Sequence, residues 1–127
     1  MDNAVNAINW FEISVSNMER AVAFYQQVFA LTLDQQEMMG MHMAMFPYNP
    51  MSGNVSGALV KSEMHKPSTE GAVLYLNGNP DLSAALGKVE AAGGQVLMPK
   101  TQIDEETGYM AFFLDTEGNK IGLHSNK

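Results

Sequence analysis

Two residues in the 127-residue chain combine reactive chemistry with a readable position. Glu12 lies in INWFEISV, residues 8 to 15, where Phe11, Ile13 and Val15 alternate with Trp10, Glu12 and Ser14. Alternation places Glu12 beside Trp10 and opposite the apolar set. A carboxylate there, partly desolvated in a cleft, suits proton transfer or pairing with a cationic ligand group. His124 lies in KIGLHS, residues 120 to 125, on the same face as Gly122. If the two strands share a cleft, Glu12 and His124 form an acid-base pair or two ligands of a metal. The plainer reading is a glutamate bonded within its sheet and a histidine close to a fraying end. Glu63 and His65, two apart in KSEMHKPS, share a side only if strand geometry persists, and Lys66-Pro67-Ser68 reads as the solvated loop joining two halves.

The stretch MMGMHMAMF, residues 38 to 46, holds five methionines and one histidine. Thioethers at Met41, Met43 and Met45 share one side of a strand and favour Cu(I) over harder ions. His42 points to the other side, and the chain has no cysteine to add affinity. Unbranched, polarizable methionine also fills irregular gaps and adaptable binding surfaces, so sheet core and pocket wall both stay open for this strand.

These residues must be carried by repeating elements. After the first strand, Ser16 and Glu19 are spaced as a capping box, and Ala21, Phe24, Tyr25 and Val28 form the stripe of an amphipathic helix ending near Ala30. Strand patterns follow at 31 to 38, 41 to 47 and 56 to 63. The second half repeats the order: a strand at 71 to 78, then Asn79 as helix cap and Pro80 as first helical residue. A stripe of Leu82, Ala85, Leu86 and Val89 runs on to the stop at Gly93-Gly94. Strands at 95 to 98, 109 to 115 and 120 to 125 complete it, the last two joined through Gly118-Asn119. The helical stripes are offset by 61 residues, the sign of an internal duplication. Two β-α-β-β-β modules, about 6–66 and 70–126, predict a single α+β domain with mixed sheets closing around a central cleft.

Composition bounds the function. Fourteen acidic against seven basic residues give a net charge of −7, the wrong sign for nucleic acid or anionic lipid and a tolerant one for a cationic ligand. Without cysteine there is no disulfide, thiolate zinc site or cysteine nucleophile. No segment reads as a signal peptide or membrane span, so a cytoplasmic location is expected. Phosphate-cradling and serine-elbow glycine motifs are absent.

The pairing of WFEISVSNMERAVAFYQQVF with the C-terminal FFLDTEGNKIGLHS resembles the vicinal oxygen chelate superfamily, which holds glyoxalase I, extradiol dioxygenases and bleomycin-resistance proteins. The resemblance spans essentially the whole chain, with the D-x-x-G-N turn as its most recognisable short motif. In metal-dependent members it implies four inward ligands, His or Gln, Glu, His and Glu, around a divalent ion. Those positions fall here on Trp10, near Ala58, near Ala72, and on Gly122, none of which binds metal. Glyoxalase I activity and a resident metal are therefore not expected. What the resemblance implies instead is a homodimer that binds a small molecule in a cleft lined by Trp10, Glu12, Leu74, Leu76, Gly122 and His124. The alternative is a metal-dependent lyase, isomerase or dioxygenase using a shifted site around Glu12 and His124.

Overall fold

The computed structural model describes residues 1–127. Its elements are β1 (Trp10–Ser14), α1 (Met18–Phe29), β2 (Asp34–Met38), β3 (Met41–Met45), β4 (Ser56–Lys61), β5 (Tyr75–Asn77), α2 (Ser83–Leu86), β6 (Gln95–Asp104), β7 (Gly108–Leu114) and β8 (Lys120–Ser125). They form two four-stranded mixed sheets, ordered β1-β4-β3-β2 and β5-β8-β7-β6. Adding four to each strand number of the first order yields the second, so the duplication read from the helical stripes is also one of topology. In each sheet the first strand pairs parallel with the last, and the other pairings are antiparallel. The α+β class holds, and the sheets do not close into a barrel. No helix is long and apolar enough to cross a membrane.

α1 forms where its stripe predicts, burying Met18, Ala21, Val22, Phe24, Tyr25 and Val28. Its start differs from the expected capping box. Asn17 is the cap, its side chain accepting from the Arg20 N–H at 3.0 Å. The N–H groups of Ser16 and Asn17 donate instead to Glu117 Oε1, at 2.9 and 2.7 Å. A carboxylate 100 residues away has taken the place that Glu19 would have filled.

α2 is shorter than its stripe implies. Leu82, Ala85 and Val89 are buried as expected, yet regular helix covers only Ser83–Leu86. Past Gly87 the hydrogen bonds tighten to three-residue steps, Lys88 N–H to Ala85 and Val89 N–H to Leu86, as a poor helix former allows. Asn79 and Pro80 do not cap it. Leu82 is the N-cap, and the Asn79 side chain accepts from the Asn126 N–H at 2.7 Å. The strand expected at 71 to 78 shrinks to Tyr75–Asn77, whereas the one expected at 95 to 98 extends to Asp104.

One main core of 20 buried residues gathers the helix-side faces of both modules, including Ile13, Phe24, Ala44 and Leu59 from the first and Leu76, Leu82, Phe113 and Leu123 from the second. Phe24 and Phe113 bring their rings within 5.8 Å across the module boundary. The two modules thus share one buried core.

The D-x-x-G-N turn is the polar clamp between those modules. Buried Asp115 accepts from the Tyr25 hydroxyl at 2.7 Å and from the backbone of Glu117 and Asn119. Asn119 reaches the Ser14 carbonyl at 2.7 Å and receives the Ser68 N–H at 3.0 Å. Gly118 holds φ at 92°, a left-handed conformation that favours glycine. Burial, reinforced by the adjacent Asp115 charge, pushes the Tyr25 hydroxyl well above its ordinary pKa. It stays a proton donor.

Candidate functional site

β1 places its side chains as alternation demands. Phe11 and Ile13 join the main core, while Trp10 and Glu12 take the opposite, open face. The register extends that face across the sheet: Glu12 opposes Ala58, Ala58 opposes Met45, and Val60 opposes Met43. Met43, Ala58 and Val60 form a separate small cluster, with Trp10, Met41 and Met45 partly exposed around it. The methionine strand is thereby resolved. Met41, Met43 and Met45 belong to the open face, and Ala44 to the core. His42 turns away to pair with Gln35 at 2.9 Å. Tyr48, from the loop after β3, sets its ring edge-on to Trp10 at 5.7 Å.

Glu12 does not meet His124. Its partner is His65, whose Nε2 lies 2.8 Å from Glu12 Oε1, with 33% of the glutamate and 19% of the histidine side chain exposed. The other ring nitrogen of His65, Nδ1, lies 2.7 Å from Ser62 Oγ. His65 also returns its N–H to the Ser62 carbonyl at 3.3 Å, closing a tight turn just past β4. Glu63, the neighbour singled out by spacing, is exposed and takes no part. Sequence reasoning missed Ser62 and underrated His65. The available signal was their three-residue spacing, which suits a turn.

The second sheet treats its positions differently. His124 does lie on the open face with Gly122, but its Nε2 is held by the Thr107 carbonyl at 2.5 Å. Gly122 is covered by Tyr75, whose ring would stand 2.7 Å from a Cβ at that position. Leu76 faces the main core rather than a cleft, and Leu74 packs against that core from its edge. Tyr75, not Leu76, is the open-face residue of β5, and Leu74 precedes that strand. The register of Tyr75 with Gly122 makes that assignment, because a one-residue step along a strand exchanges faces.

Two cavities flank the Glu12–His65–Ser62 chain. A broad groove of about 830 Å³ runs along the β3 end of the first sheet, lined by Met39, Met41, Ser62 and Met64 among others. A smaller one of about 170 Å³ lies between the modules, bordered by Glu12, Lys66, Ser68, Leu74 and Lys120. The donor set for a divalent ion does not fit the ligand positions that the resemblance implies. Trp10, Ala58, Ala72 and Gly122 offer no side-chain lone pair for coordination. Trp10 instead meets the edge-on ring of Tyr48, and the Gly122 position is filled by a ring.

Comparison with known proteins agrees with the duplicated topology. The chain is 26% identical over 123 residues to the metallothiol transferase FosB of Shouchella clausii, covering 95% of this chain and 81% of that one. Among solved structures, the hypothetical protein SA1046 from S. aureus superposes with a TM-score of 0.69 at 18% identity, over 95% of both chains. TnmS3, an antibiotic binding protein from Streptomyces sp. CB03234, superposes with a TM-score of 0.64 at 22% identity, over 99% of this chain and 100% of that one. Residues 7–123 match the family profile, and the chain belongs to the Glyoxalase/Bleomycin resistance protein/Dioxygenase superfamily.

Proposed function

We propose that the chain binds a small aromatic or otherwise apolar molecule on the open face of its first sheet, without a divalent ion. The carrying observation is that face itself: Trp10 edge-on to Tyr48 beside Met41 and Met45, over a floor of Met43, Ala58 and Val60. Aromatic rings with flexible thioethers make a wall that conforms to an apolar ligand. Glu12 stands at its margin, paired with His65 and one-third exposed, placed to meet a cationic group of the ligand. The net charge of −7 favours such a ligand at long range. The likeness to an antibiotic binding protein supports a sequestering role for this fold. The residues at the implied metal positions support a site that works without one.

Trp10 is the only tryptophan, so its fluorescence reports on the site directly. Titration with bleomycin and a panel of planar aromatic antibiotics should give saturable quenching by at least one compound. The response should be unchanged by EDTA and weakened about tenfold by Met45→Ser, consistent with roughly 1–2 kcal/mol of lost apolar contact. Absence of saturable binding across the panel would overturn the proposal. The rival, a metal-dependent lyase, isomerase or dioxygenase centred on Glu12, predicts instead stoichiometric metal in the purified protein that disappears in Glu12→Ala.

A further inference from the structure

The geometry points to Ser62 as a nucleophile, activated by His65 and oriented by Glu12, in a site that hydrolyses small esters entering the groove beside β3. With Glu12 as carboxylate and His65 as the neutral imidazole, hydrogen-bond chemistry assigns the direction of each bond. An ionised Glu12 only accepts, so His65 Nε2, at 2.8 Å, carries the hydrogen. In the uncharged ring Nδ1 is then the acceptor, and the partner at 2.7 Å that can donate to it is the Ser62 hydroxyl. The Met64 N–H donates to Ser62 Oγ at 3.1 Å and occupies a lone pair, which turns the hydroxyl hydrogen toward His65. Carboxylate, imidazole and hydroxyl thus stand in the order of a nucleophilic triad, with the two ring nitrogens exchanged relative to the usual serine hydrolase arrangement.

Placement supports reactivity over a purely structural clamp. Ser62 lines the groove of about 830 Å³, whose walls carry the thioethers of Met39, Met41 and Met64 among the polar side chains of Glu37, His42, Lys61 and Glu63. Met39 and Met64 are 89% and 90% exposed, apolar side chains held in water at the groove's edge. Glu12 sits at the far end of the chain, against the separate inter-module cavity. A proton leaving Ser62 therefore passes to His65 on the side of Glu12 while the acyl group stays in the groove.

The reaction balances with water as the only co-reactant. Ser62 Oγ attacks the ester carbonyl carbon as its proton passes to His65 Nδ1. Collapse of the tetrahedral intermediate breaks the bond to the alkoxide oxygen, which takes that proton and leaves as the alcohol. Water then attacks the acyl-serine, giving one proton to His65, which returns it to Ser62 Oγ as the carboxylic acid departs.

The decisive experiment is covalent labelling of the intact chain with a fluorophosphonate, read by peptide mass spectrometry, alongside hydrolysis of p-nitrophenyl butyrate. The wild type should carry one adduct, on Ser62, with loss of fluoride. Ser62→Ala and His65→Gln should lose the adduct and reduce hydrolysis by about 100-fold or more, and Glu12→Gln by about tenfold, at unchanged circular dichroism. An unlabelled wild type, an adduct on another residue, or hydrolysis persisting in folded Ser62→Ala would overturn the assignment. A clamp that merely holds the turn gives no adduct. Trp10 quenching should survive in Ser62→Ala, so this inference and the binding proposal fail separately.

Discussion

Both sheets contain a glycine on the last strand whose missing Cβ is replaced by an aromatic ring from the parallel first strand, but the rings lie on opposite faces. In the first sheet Gly57 is covered by Phe11, on the side of the main core. In the second, Gly122 is covered by Tyr75, on the open side. The consequence is asymmetric. The second sheet fills its open face with its own groups: Tyr75 over Gly122 and against Phe112, and Lys120 Nζ 4.5 Å over the Phe112 ring. The first sheet spends Phe11 on the core and leaves its open face to Trp10, the methionines and Glu12. A duplicated scaffold thus differs between its halves in which face receives one ring, and the open face left uncovered is that of the first module.

The comparison can be broken most severely at Gly57. A Cβ there would lie 2.3 Å from the Phe11 carbonyl oxygen, a backbone atom fixed in the parallel ladder, so Gly57→Ala should cost about 3 kcal/mol or more. Urea unfolding of the pure variant measures it. A loss under about 1 kcal/mol would mean that the first sheet tolerates the shift and that the contrast with the second is overstated.

Next in size is the joint between modules. Glu117 closes the start of α1 through two backbone N–H groups and pairs with Arg20 Nε at 2.7 Å. Glu117→Ala should cost about 2 kcal/mol, because it strands donors that no neighbour replaces. The acid dependence has a definite sign. Burial alone would raise the Glu117 carboxyl, but bonds from Arg20, Asn17 and Ser16 outweigh it and hold the group below its ordinary value of 4.5. A depressed carboxyl contributes stability that is fully present above the unfolded value and lost as pH falls through the folded one. Wild type and Glu117→Ala should therefore converge in stability below about pH 4.5 and differ most near neutrality. Thermal melts across that range decide it.

The smallest effect belongs to Gly122→Ala, about 1 kcal/mol. The atoms nearest the added Cβ belong to the ring of Tyr75, which is 46% exposed and has room to swing outward. Near-ultraviolet circular dichroism should register the displaced tyrosine. A cost equal to that of Gly57→Ala would remove the asymmetry between the sheets.

Much of this was legible before any fold was known. Alternation in INWFEISV assigned Trp10 and Glu12 to the face away from Phe11 and Ile13, and the spacing of Ala21, Phe24, Tyr25 and Val28 located α1. Leu82, Ala85 and Val89 were read as buried even though the helix beneath them is cut short at Gly87. Other features were not legible, for identifiable reasons. Leu76 turns to the core rather than to a cleft, while Leu74 borders the inter-module cavity beside Glu12; GAVLYLNG is a continuous apolar run, and period-2 reasoning has no phase without a polar residue to set it. The methionine strand was ambiguous for the same reason: thioethers suit either face. The cap of α1 shifted by one residue because Glu117, remote in sequence, outcompeted Glu19 for the free N–H groups.

The sequence by itself determined the duplicated β-α-β-β-β order, the D-x-x-G-N turn at residues 115 to 119 and the face on which Glu12 stands, since periodicity and turn chemistry are local properties that burial imposes residue by residue. Only the tertiary structure decided that Glu12 pairs with His65 rather than His124. The 62–65 turn carries no periodic signal, and where it folds back depends on the path of the chain past β4. A contact across 53 residues is set by that path, and no count of spacings along the chain contains it.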